Sequence, residues 1–207
     1  MSFQPALPLS GLAGWRFLQR TLPVQQEAFA KAPALARDAD HFRARIGAID
    51  SAEALVADRR LLKVALGAFG LQDDLANRFF IRRILEDGTA RDDALANRLA
   101  DKRYAEFSRA FGFDGPGAPA TQRPGFAEEI AARFERQSFE IAVGAQDETM
   151  RLALYAEREL AAAAAGEGSA RTKWFRVMGT PPLRQVVETA LGLPGSFGQQ
   201  DLDRARR

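Results

Sequence analysis

The sequence predicts an all-α protein, a compact multihelical domain of roughly eight to ten short and medium helices with no sheet. Three observations carry this. Alanine, the best helix former because it loses no side-chain entropy, occurs 39 times in 207 residues. Apolar residues recur three and four positions apart through most of the chain. Periodic segments stop at a glycine followed by an apolar residue and restart at a proline or an acid.

Taken in order, "GLAGWRFLQR" from Gly11 to Arg20 forms a first short helix with Trp15 and Leu18 on one face, and Thr21 and Pro23 restart the chain. "VQQEAFAKA" runs to Pro33, and "ALARDADHFRARI" aligns Leu35, Phe42 and Ile46. A longer helix then covers "IDSAEALVADRRLLKVALGAFGL", with Asp50 as N-cap and Glu53 reaching back in an acidic capping box. Its stripe is Leu55, Leu62, Leu66 and Phe69, and it ends at Gly70 with Leu71 folding back on the last turn.

Asp73 or Asp74 caps the next helix, "LANRFFIRRILEDG", which closes at Gly88. One helix from Arg91 to Phe111 buries Leu95, Leu99, Tyr104, Phe107 and Phe111 and stops at Gly112 before Phe113. "DGPGAPATQRPG", 114–125, is the one evident loop and the candidate sub-boundary of a single domain spanning 1–207. Beyond it, Phe126 to Gly166 holds one long helix or two, with the break at Gly144 and Asp147 and with Phe126, Ile130, Phe134, Ile141, Met150 and Leu154 in the core. "ARTKWFRVMG" and a helix opened by Pro181 or Pro182 and closed at Gly192 precede a polar tail, 199–207, expected to fray.

Charge and composition exclude several functions. Lysine and arginine total 29 against 27 acids, and the net charge of +2 sets up no long-range field. Arginines alternate with carboxylates, as in "AERELA", so no basic stripe for nucleic acid is expected. Without cysteine there is no disulfide, thiolate nucleophile or thiolate zinc site. The start lacks a basic segment followed by an apolar run, and no apolar run approaches the ~18 residues of a membrane span. These readings predict a soluble, cytoplasmic chain without membrane insertion.

"LLKVALGAFGLQDDL", residues 61–75, gathers two glycines and two aspartates, yet it lacks the lysine and hydroxyl of a phosphate loop, and "GAFG" follows a helix rather than a strand. Asp73, Asp74, Asp92 and Asp93 lack the alternation of a calcium loop. "DLD", 201–203, offers two tail carboxylates, and His41 stands alone as a base or ligand. No catalytic, cofactor-binding or metal-binding residue is therefore assigned. Two polar groups stand out: Asp58 and Arg60, which interrupt an apolar segment, and Asn97 and Asp101, four apart on the helix that carries Tyr104. Together they form either a satisfied network that docks two helices or a recognition patch.

"DRRLLKVALGAFGLQDDLANRFFIRRILEDG", continued by "LANRLADKRYAEFSRAFGF", resembles the domain-of-unknown-function family DUF1217, uncharacterised alphaproteobacterial proteins commonly encoded among flagellar genes. The most specific residues are Asp58 to Leu71, then Asn97, Leu99, Asp101, Tyr104, Phe107 and Phe111, and the likeness resumes at "LRQVVETALGLPGSFGQQDLD". The resemblance implies a multihelical fold, flagellar association and no catalytic residues to carry over. The expectation is a non-enzymatic helical interaction protein in flagellar assembly or regulation, with a protein partner and no cofactor. The runner-up is an enzyme or small-ligand binder with an interhelical pocket built from Arg59, Arg60, Asp101 and Tyr104.

Overall fold

The computed structural model describes residues 3–115 and 117–194. Those residues form eleven α-helices and three 3-10 turns, with no strand among them. The fold class is the one expected, and the extra helices come from breaks that the apolar spacing conceals. The tail and its "DLD" carboxylates lie outside the described residues.

Helix α1 (Gly11–Ala30) runs through Pro23 rather than restarting there. An internal proline costs about 3 kcal/mol, but Trp15 and Leu18 before it and Phe29 after it pack into one cluster with Phe139, Val143 and Met150. Thr21 Oγ1 donates to the Phe17 carbonyl at 2.9 Å. Buried Gln25 pairs with both backbone groups of Ala6 and so fastens the incoming segment.

Helix α2 (Pro33–Arg45) buries Phe42, and Ile46 follows in a 3-10 turn. The expected helix from Asp50 to Gly70 is two, α3 (Ala52–Ala57) and α4 (Arg59–Gly67). Ser51, not Asp50, caps α3 by accepting from the Ala54 amide, and Glu53 sits 3.4 Å from Arg82 instead of reaching back. Asp58 makes the break: in extended conformation it accepts from the Arg60 and Leu61 amides at 2.9 and 3.1 Å. A short polar side chain that satisfies these amides competes with the continuing ladder.

Past Gly70 the Leu71 amide bonds the Leu66 carbonyl at 2.9 Å and the Gly70 amide bonds Gly67 at 3.2 Å, a Schellman closure with Gly70 at φ +70°. Asp73 and Asp74 then lie in a 3-10 turn (Gln72–Ala76) and cap nothing, because α5 (Arg78–Asp87) begins later, after Asn77. The single helix expected from Arg91 to Phe111 is likewise split into α6 (Leu95–Arg98) and α7 (Arg103–Phe111). Asp101 takes the Arg103 amide at 3.0 Å and the Lys102 amide donates to the Gly179 carbonyl at 3.1 Å, so both amides are satisfied outside a continuing helical ladder.

The loop 114–125 is tied down where buried Thr121 donates to the Ile49 carbonyl at 2.6 Å. Helix α8 (Phe126–Gly144) packs on α1, α2 and α4, and α9 (Glu148–Ala165) returns along it. Asp147 caps α9 through the Met150 amide. Ile141, expected in the core, is 38 % exposed because it continues the stripe of Phe134 and Gln137 past the end of α4 and lines an open cleft with Gly70, Asp73 and Gly144. Helices α10 (Ala170–Met178) and α11 (Pro181–Leu191) close on the alanine-rich face of α9. The largest cluster packs Phe69, Phe107, Phe111 and Phe126 ring to ring. Among the described helices none is long and apolar enough to cross a membrane.

Candidate functional site

The end of α4 and the start of α7 meet through charge. Arg103 Nη1 donates to the Gly70 carbonyl at 2.5 Å. Its Nε donates to Asp101 Oδ1 at 3.1 Å and its Nη2 to Oδ2 at 2.7 Å, the two-point geometry that a guanidinium fork allows. Burial opposes the Arg103 charge, but the bonds to Asp101 outweigh it and raise the guanidinium pKa. Tyr104 donates its hydroxyl to Asp74 at 2.5 Å, and its ring stands edge-on to Phe80. Burial first, then the bond to the Asp74 carboxylate, pushes the Tyr104 pKa far up, so it stays a neutral donor.

A second network lies between α8 and α9. Arg158 reaches both oxygens of Glu140, at 3.1 and 3.0 Å, and the amide oxygen of Gln137 at 3.1 Å, while its other terminal nitrogen meets Glu159. Glu140 is 3 % exposed. Burial raises its pKa above the ordinary carboxylate value, and the Arg158 fork limits the rise.

Arg158 also lines an open groove of about 390 Å³ with Arg109, Arg133, Arg136 and Arg176, two glutamates, Phe69, Ala110 and Ala162. Arg176 is held by Glu106 at 2.7 Å. Arg133 lies 4.2 Å from the centre of the Phe69 ring. Elsewhere, Phe79 on α5 is 85 % exposed beside Val56 and Ala57, and Trp174 on α10 is 56 % exposed.

The polar residues singled out in the sequence fall in three places. Asp101 and Tyr104 belong to the α4–α7 junction. Asp58 caps α4 and meets His41 Nε2 at 2.9 Å, and Arg60 stands exposed at 3.4 Å from Asp38. Asn97 clamps the preceding loop by donating to the Thr89 and Arg91 carbonyls at 3.0 and 2.7 Å. Asn97 and Asp101 are not on one helix, since the break after α6 separates them. The residues missed are Arg103 and the groove arginines. "DKRY" held a signal for the first, an acid two positions before a basic residue at a helix start; nothing local marked the second.

The helix-stop glycines Gly70, Gly88, Gly112 and Gly192 all have positive φ. Gly192 repeats the Schellman pattern through Leu193 and Glu188. Among the described residues no group of three or more His, Cys, Asp or Glu is placed to hold a metal.

No curated protein matches the chain. The crystal structure of a protein from Agrobacterium tumefaciens is similar to it, with 29 % identity, a TM-score of 0.78, and coverage of 98 % of this chain and 85 % of that one. A family model described as "Protein of unknown function (DUF1217)" matches residues 68–207. The match takes in Gly70, Asp101, Arg103, Tyr104 and the arginine groove, and of the stretch Asp58 to Leu71 only Ala68 onward lies within it. The chain belongs to this family of proteins of unknown function, DUF1217.

Proposed function

We propose that the protein is a non-enzymatic helical interaction protein of the cytoplasm, engaging a flagellar component during assembly or regulation of the flagellum. The observation that carries this reading is the exposure of aromatic side chains on two separate helices, Phe79 at 85 % and Trp174 at 56 %. Aromatic residues are the commonest anchors of protein interfaces because they bury large area with few rotamers.

The interior polar residues support the same reading, because they bind one another. Asp101 is spent on Arg103, Asp74 on Tyr104 and Glu140 on Arg158. Acids engaged in this way dock helices and are poor proton-transfer groups. The flagellar part rests on the resemblance carried by residues 58–111.

Deletion of the gene with a swimming assay, together with affinity capture from the native cell, tests the proposal. Reduced swimming and recovery of a flagellar component are expected. Unchanged swimming with no flagellar component captured overturns it.

A further inference from the structure

We propose that the arginine-lined groove between α7, α8, α9 and α10 docks an acidic peptide segment of a partner protein. The inference rests on the interaction role above and names the chemistry of the partner.

The groove concentrates charge that the chain as a whole lacks. Five arginines face two glutamates there, whereas the full sequence has a net charge of only +2. The two glutamates are committed: Glu106 to Arg176, and Glu159, with Glu140 beneath, to Arg158. Arg109 and Arg133 have no hydrogen bond or ion pair to a carboxylate among the described residues, and Arg136 has none within bonding distance, its charge acting on Glu140 only from farther off. Arg133 stacks on Phe69, which occupies the face of the guanidinium and leaves its in-plane donors for a ligand. Arg133 and Arg136 are three apart on α8 and so project from one side of it.

The chemistry favours an acidic peptide over other anions. A groove of about 390 Å³ receives a few side chains and is too small for a duplex. Ala110 and Ala162 line the groove beside the guanidinium groups, which suits carboxylates carried on a segment whose other side chains are small and apolar.

The test is fluorescence anisotropy on the full chain with a fluorescein-labelled peptide of alternating glutamate and alanine. Saturable binding that weakens with salt is expected. Arg109→Glu with Arg136→Glu should weaken it at least about tenfold, and the equal charge change Arg37→Glu with Arg45→Glu, on α2, less than about twofold. Equal loss in both double variants, equal binding of the glutamine–alanine peptide, or binding of inorganic pyrophosphate without the peptide would each overturn the proposal. Affinity capture separates this failure from that of the function. A flagellar partner recovered equally by the Arg109→Glu, Arg136→Glu protein sinks the groove and leaves the interaction role standing. No such partner recovered by the wild-type chain sinks the role even where the peptide binds.

Discussion

Arg103 donates from Nη1 to the carbonyl of Gly70, 33 residues earlier, at 2.5 Å, while the rest of its fork holds Asp101. One side chain therefore joins the end of α4 to the start of α7. Arg103→Ala leaves the Asp101 carboxylate without its counter-charge in a half-buried site and should cost about 2 kcal/mol. Arg103→Lys keeps the charge but loses the fork, and about 1 kcal/mol is expected. Urea unfolding of the two variants measures the difference, and equal costs would show that the fork alone matters and the retained charge contributes nothing.

Alanine at three glycines should give a graded series. At Gly88, with φ +67°, a Cβ would lie 1.8 Å from Asp114 Oδ2 and 2.4 Å from its Cβ, so Gly88→Ala should cost more than about 2 kcal/mol. At Gly70, with φ +70°, the nearest atoms are Arg103 Nη1, which holds the Gly70 carbonyl, and Gln137 Nε2, both at 3.1 Å, so a small shift of these held groups adds to about 1 kcal/mol from the backbone. Nothing lies within 4 Å of a Cβ at Gly47 and its φ is not left-handed, so Gly47→Ala should raise the melting temperature. Thermal unfolding checks the order.

Asp58 makes stability depend on acid. Burial pushes its pKa up, but the bonds from His41 and from the Leu61 and Arg60 amides prevail and hold it below the ordinary value of 3.8. A carboxyl depressed in the folded state contributes stability that is fully present above 3.8 and is lost as pH falls through the folded value. Unfolding free energy should therefore decline below that pH, and less steeply in Asp58→Asn, which keeps the cap but cannot titrate. An NMR titration that placed the Asp58 midpoint above 3.8 would refute the assignment.

Phe79→Ser should leave stability within about 0.5 kcal/mol of wild type, since its ring stands almost wholly in solvent. It should still reduce recovery of the captured partner. Loss of stability without loss of capture would mean that the ring serves the fold.

Much of the fold was legible because helix stops are local. A glycine followed by leucine after an apolar stripe is enough to write the corner at Gly70 and the one at Gly192, and both are Schellman closures. The breaks at Asp58 and at residues 99–102 were hidden because the apolar spacing continues across them. The winning interactions there are side chain to backbone, Asp58 to Leu61 and Asp101 to Arg103. Of the candidate site, Asp101 and Tyr104 were visible as polar residues on an apolar background, but Arg103 was not singled out and Asp74 was read as a helix cap instead of as the partner of Tyr104. Asp74 meets Tyr104 across 30 residues, and the five groove arginines come from four helices, so neither arrangement leaves a pattern within any short window.

Helix α8 is the cover for faces of α1, α2 and α4, and none of it exists until residue 126 has been made. A nascent chain paused in the loop 114–125 carries Phe42, Leu62 and Leu66 without the surface they pack on, a state that invites association with other chains. During translation the first half is thus expected to depend on a chaperone or on rapid elongation until α8 emerges.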